Sequence, residues 1–169
     1  MASVGPVIVR LAVKKPVWWS PAMWLTSKAY AIQGLRQVPE LMLDQFLEEA
    51  TARRFRDGEW DCQLFPAEWV RRVTGLDPAA AWRGRYSTAL GRERILKRDG
   101  GPLAVMTRGA ESVGLQRTDE PKRGDVGLIR LDGRDYGAVC LGERWALVTK
   151  SGLAAVKPDE ILRAWRVNA

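Results

Sequence analysis

The sequence contains no histidine among its 169 residues. Histidine is the most frequent general base in enzymes and a common zinc ligand, so ordinary Cys-His and Ser-His catalytic sites are excluded and a zinc site is not expected. Cysteine is also scarce: Cys62 and Cys140 are the only two, which is too few for a disulfide framework. We therefore predict no metal and no cofactor.

Long apolar runs are missing as well. No stretch reaches the roughly 18 residues that a membrane span needs. The amino terminus lacks the basic start, apolar stretch and small-residue cleavage site that follow one another in a signal peptide, so we predict none. The net charge of +7 favours acidic partners, but the basic residues are scattered, so we predict no nucleic-acid partner. An apolar content of 46% with 28% charged residues is typical of a globular chain.

Acidic residues are absent before Glu40, and this first segment is unusual in composition. It combines basic and aromatic side chains, a mixture that suits a protein interface. We predict that residues 1–38 form an extension that docks on a partner subunit, the alternative being a strand and loop packed on their own domain. The candidate partner-binding residues are Lys14, Lys15, Trp18, Trp19 and Trp24.

The remaining chain, residues 39–169, changes from helical to strand periodicity, which predicts an α+β domain with an antiparallel sheet. The helices are predicted at Pro39–Phe55, from Asp61 to Thr74, at Asp77–Trp82, at Thr88–Arg98 after a Ser87 cap, and at Leu103–Arg108. The strands are predicted at Val126–Leu131, Tyr136–Leu141, Trp145–Thr149, Leu153–Val156 and Ala164–Val167, with a helical turn at Pro158–Glu160. Asp132-Gly133 is a hairpin turn signal.

The central stretch is Trp60-Asp61-Cys62. Asp61 is a good helix N-cap, and Gly75 is a good helix end. Cys62 would then lie at the positive end of a helix dipole, where the pKa of a thiol falls. Pro66 cannot donate to the Cys62 carbonyl, so the first helical turn is expected to be distorted. Cys62 as a small buried residue is the simpler alternative.

Several short motifs occur in order along the chain. They are Trp60-Asp61-Cys62, Val73–Ala79, Arg83–Tyr86, Gly100-Gly101, Arg123–Val126, Ala138–Gly142, Ser151–Leu153 and Arg163–Val167. Together they resemble a family of small phage and prophage proteins of unknown function over residues 40–169. That family in turn resembles a divergent branch of the NlpC-type cysteine peptidases, papain-like enzymes that cut the peptide stems of peptidoglycan.

The resemblance implies a papain-like NlpC-type domain, in which helices precede an antiparallel sheet. It makes Cys62 the vestigial position of the nucleophile and Gly124-Asp125 the start of a sheet strand. The catalytic histidine of the superfamily falls at Asp135, or at Arg134 or Tyr136 if the register slips. None of these three side chains replaces a neutral imidazole as the base.

Three functions follow as hypotheses. The first is a structural component of a phage tail tip or baseplate, made in the bacterial cytoplasm, part of the virion and bound to other tail proteins. The second is a tail endopeptidase that uses Cys62 with an atypical base, with peptidoglycan as its partner. The third is a cytoplasmic tail-assembly factor.

Overall fold

The first helix, α1, covers residues 41–52 in the computed structural model, which describes residues 41–167. Its buried residues Leu43, Phe46 and Ala50 recur at spacings of three and four, so they share one face. The first two positions of the predicted helix lie outside the described residues. The helix ends before the predicted Phe55.

Helix α2, Leu64–Thr74, is the central helix of the domain. Its end is the predicted one, because Gly75 has a φ of 76° and its N–H donates to the Arg71 carbonyl. Its start lies later than a helix opening at Cys62. Pro66 has no N–H for the Cys62 carbonyl, so the regular ladder begins only beyond that point.

Two further helices follow, α3 at Ala89–Arg98 and α4 at Gly101–Ser112. The side chain of Thr88 caps α3 by accepting a hydrogen bond from the Gly91 N–H, so the predicted Ser87 cap is wrong. Helix α4 is longer than the predicted Leu103–Arg108. The predicted helix at Asp77–Trp82 is also wrong, because this segment forms successive turns.

Within residues 41–167, six antiparallel strands form one sheet in the order β1-β6-β2-β3-β4-β5. They are β1 Gln116–Thr118, β2 Val126–Leu131, β3 Arg134–Cys140, β4 Trp145–Thr149, β5 Gly152–Val156 and β6 Glu160–Arg166. Strands β2 and β4 match their predicted bounds. Strand β1 was not predicted, since it is short and polar. The predicted helical turn at Pro158–Glu160 is wrong, because Glu160 already pairs with Arg130.

An aromatic cluster joins the helices to the sheet. It consists of Phe46 from α1, Trp60, and Phe65 and Trp69 from α2, with neighbouring ring centroids 5.3–6.1 Å apart. The indole N–H of Trp69 also donates to the Gly124 carbonyl at 2.7 Å, just before β2. The predicted α+β class is therefore confirmed, with helices preceding an antiparallel sheet, and Trp69 fixes α2 to the segment that leads into β2.

Candidate functional site

The carboxylate of Asp61 is completely buried and fully hydrogen-bonded. One oxygen accepts from the Gln63 and Leu64 N–H groups at 2.9 and 3.0 Å, which satisfies donors at the start of α2. The other accepts from the Gly58 N–H at 2.9 Å and from the Tyr86 hydroxyl at 2.7 Å. The N-cap residue of α2 is Gln63 rather than the predicted Asp61, but the Asp61 side chain accepts from the N–H groups at the helix start as a capping group does. Asp61 also anchors the Gly58 and Tyr86 segments, which the sequence did not connect to it.

The contact between the Gly58 turn and Tyr86 is very close. A Cβ at position 58 would lie 1.8 Å from the Tyr86 carbonyl oxygen, and Gly58 has a φ of 81°. Burial and the neighbouring Asp61 carboxylate raise the pKa of Tyr86 well above its ordinary value. Tyr86 therefore remains a hydroxyl donor to Asp61 and cannot act as a base for Cys62 near neutral pH.

Cys62 is half-buried, and its environment disfavours the thiolate. Burial raises the pKa of the Cys62 thiol to about 11, the Arg92 guanidinium lowers it, and the Asp61 carboxylate raises it further. The expectation of a lowered pKa is therefore wrong. Burial is the largest cause of this shift, and the regular helix starts only at Leu64, two residues after Cys62.

Arg92 and Asp57 complete the charged surroundings of Cys62. Their side chains form an ion pair, and both are largely shielded from solvent. The Arg92 guanidinium also lies 5.8 Å from the centroid of the Phe55 ring. Arg92 is thus already neutralised by Asp57, which limits its ability to stabilise a thiolate on Cys62.

Asp135, at the position implied for the histidine, lies on β3 and points toward a cation rather than a thiol. Its carboxylate accepts from the Arg130 guanidinium at 2.9 Å, and Arg130 also pairs with Glu160 at 3.1 Å. Gly137, two residues further along the same strand face, contacts the backbone of Cys62. A Cβ there would lie 2.5 Å from the Cys62 carbonyl oxygen. β3 therefore lies beside Cys62, the nucleophile position, but the Asp135 carboxylate on this strand is held in an ion pair with Arg130.

Residues 37–167 match the family model of a domain of unknown function, DUF6950. The chain belongs to this family. No curated protein and no solved structure matches it.

Other predicted site residues of this DUF6950 chain have separate outcomes. Lys14, Lys15, Trp18, Trp19 and Trp24 lie outside the described residues. Asp125, which the resemblance places at the start of a sheet strand, directly precedes β2, is buried and accepts from the Lys122 and Val167 N–H groups. Cys140 is completely buried in the core. Between residues 41 and 167 no group of side chains could hold a metal ion, and no helix is long and apolar enough to cross a membrane.

Sequence reasoning missed the parts that Asp57, Tyr86 and Arg92 play around Cys62. Tyr86 was assigned only to a family motif, and Asp57 and Arg92 were named as site residues by no pattern in the sequence. Each lies on a different segment of the DUF6950 domain, so no local spacing connects them. One physical rule could have directed a search for them. A buried carboxylate such as that of Asp61 must be hydrogen-bonded, so donors from other segments are expected around it.

We expect Cys62 to react slowly with iodoacetamide at neutral pH, because with a pKa of about 11 only about one thiol in ten thousand is ionised near pH 7. Its labelling rate should rise about tenfold per pH unit up to about pH 10, whereas an ordinary thiol levels off near pH 9. Mass spectrometry of the folded protein measures this rate, with the buried Cys140 as the slower internal control. Rapid labelling near pH 7 would show instead a stabilised thiolate.

Proposed function

We propose that this chain is a non-catalytic structural component of a bacteriophage tail tip or baseplate, built on a peptidase-like domain that has lost its catalytic histidine. The proposal that the chain is non-catalytic rests on the protonation of Cys62 and on the bonds that the nearby carboxylates already make. The thiol has a pKa of about 11, Asp61 is occupied by four hydrogen bonds, and Asp135 is paired with Arg130.

A cysteine peptidase needs a thiolate and a group that accepts its proton. General-base assistance contributes about 10²–10⁴-fold to a rate, and this sequence has no histidine to supply it. The carboxylate nearest in sequence, Asp61, already accepts hydrogen bonds from four donors. These contacts hold the helix start in place, which is a structural role.

The peptidase-like ancestry rests on the motif resemblance and is supported by the arrangement of the elements. Within residues 41–167, four helices precede an antiparallel sheet, the cysteine lies two residues before the central helix α2, and β3 passes beside it at Gly137. The tail location rests on the resemblance to phage and prophage proteins and on the basic, tryptophan-rich first 38 residues, a composition suited to docking on a partner subunit.

We expect the purified protein to release no soluble stem peptides from peptidoglycan sacculi, and the Cys62→Ala variant to behave identically. Chromatography of the digest, with an active cell-wall peptidase as the positive control, measures this. Release that disappears in Cys62→Ala would establish the endopeptidase alternative instead.

The location is tested on particles rather than on the isolated protein. Mass spectrometry of purified phage should detect the chain, and particles that carry Cys62→Ala should remain infectious. Detection only in infected-cell extracts, never in particles, would support the assembly-factor alternative.

A further inference from the structure

The outer edge of β5, the side of this strand that faces away from β4, pairs with no other strand within residues 41–167. β5 bonds to β4 alone, and none of its five residues is fully buried. Backbone N–H and C=O groups along an unpaired strand edge are available to another strand. The outer edge of β5 is therefore a surface at which a further strand can add to the sheet.

The register of the sheet shows which residues carry these outward-facing groups. Across the β3–β4 turn the Leu141 N–H donates to the Arg144 carbonyl, so in the alternating antiparallel ladder Ala146 bonds to β3. The β4 residues on either side of Ala146 then bond to β5. This arrangement leaves the backbone groups of Leu153 and Ala155 on the outer edge of β5.

The two edges of the sheet differ in how they are protected from pairing. Natural sheets protect an edge with charged side chains, proline, a bulge or a very short strand. β1, at the opposite edge, has only three residues and includes the charged Arg117. β5 is uncharged, contains no proline and pairs with β4 without a register shift, while Lys150 and Lys157 lie outside it. The sequence of β5 thus favours pairing with another strand.

We propose that the outer edge of β5 pairs with the same edge of a second copy of this chain, antiparallel and about a two-fold axis at Ala154. This register sets Leu153 opposite the second copy's Ala155. It also sets Val156 opposite the second copy's Gly152. Leu153 packs on the core that includes the helices, and Val156 on the core formed by strand residues alone. On each side of the sheet a large residue therefore meets a small one.

Self-complementarity identifies a second copy, rather than a different protein, as the occupant. A two-fold interface brings the same surface together twice, so it requires a surface that matches itself. Beyond the strand, Lys157 would face the second copy's Ser151, and Lys150 would face its Pro158. No like charges are thus set opposite each other in this register. The strand of a different protein would gain nothing from these internal matches.

The paired strands form a small interface. Stable interfaces bury about 1,200–2,000 Å² in total, and two strands of five residues cover less, so we expect a weak dimer. This inference goes beyond the proposed function, because the pairing concerns the isolated protein in solution as well as any assembly that contains it.

A cysteine crosslink in the full-length chain tests the two-fold axis. At a non-hydrogen-bonded antiparallel pair the Cα atoms lie about 4.5 Å apart, within the range of a disulfide. Ala154→Cys, oxidised at high protein concentration, should therefore give a covalent dimer on non-reducing electrophoresis. Ser151→Cys is the matched control, because its two copies would lie about 20 Å apart along the strands, too far to bridge. Equal crosslinking of the two variants overturns the proposal.

Sedimentation of the unmodified full-length protein should show a dimer whose fraction rises with concentration. Ala155→Lys places a charge on the outer edge and should weaken the dimer about tenfold or more. Gln116→Lys adds the same charge to β1, at an exposed position of the opposite edge, and should change nothing. Circular dichroism verifies that both variants are folded.

A monomer at every concentration, or a dimer that Ala155→Lys does not weaken, overturns the proposal. Binding of a different protein to this edge of a chain that stays monomeric overturns it as well. These outcomes leave particle composition untouched, so failure of this inference is distinguishable from failure of the proposed tail role.

Discussion

Replacement of Asp61 by alanine is expected to lower the free energy of unfolding by about 4 kcal/mol. The change leaves four donors without their buried acceptor, and each buried unsatisfied group costs about 1–3 kcal/mol. Water entering the space left by the carboxylate recovers part of that sum. Natural domains have a free energy of unfolding of only about 5–15 kcal/mol, so this one substitution removes a large share of the stability of the fold. Urea unfolding followed by tryptophan fluorescence measures the change.

Asp119→Ala is the matched control, because the Asp119 side chain is 85% exposed and its ion pair with Arg117 lies at the surface. The control should alter stability by less than about 0.5 kcal/mol. Tyr86→Phe removes one of the four donors and should fall between the two variants. A loss below about 1 kcal/mol in Asp61→Ala would mean that these hydrogen bonds do not hold the helix start.

Deletion of residues 1–36 is expected to leave a folded domain that no longer enters phage particles. The deleted segment contains three tryptophans and five basic residues, while the family match begins only at residue 37. Aromatic anchors carry a large share of interface energy, so their removal should abolish incorporation. Circular dichroism checks the fold, and mass spectrometry of purified particles counts the protein.

A full-length control distinguishes the effect of shortening the chain from the effect of losing the tryptophan side chains. Replacing Trp18, Trp19 and Trp24 together by alanine keeps all 169 residues and should reproduce the loss of incorporation. Normal assembly of either variant, or unfolding of the shortened chain, would contradict the docking role of this segment.

The parts of the fold that could be predicted are those set by neighbouring residues. Gly75 ends α2 because its positive φ suits glycine. Asp132 and Gly133 both adopt positive φ, and the Leu131–Arg134 pair closes the predicted two-residue hairpin loop. Each feature depends on a dipeptide or a single residue, so the local sequence was sufficient.

The hydrogen bonds of Asp61 and the raised pKa of Cys62 could not be predicted, because they depend on segments that are distant in sequence. Tyr86 reaches Asp61 across 25 positions, and no periodic pattern indicates that contact. The direction of the Cys62 pKa shift required the depth of burial, which follows from packing. The dipole argument also assumed a regular first turn, although Pro66 had already indicated a distortion.

The position of β6 has a consequence for how the chain is made. Among the strands that the structure describes this one is the last in sequence, yet it lies between β1 and β2 in the sheet. Until Glu160–Arg166 has been synthesised, β2 has an open hydrogen-bonding edge along Val126–Arg130. Open strand edges on a nascent chain are sites of aggregation. A fragment that ends before residue 160 leaves this edge of β2 uncovered, so we expect it to aggregate more readily than the chain that includes β6.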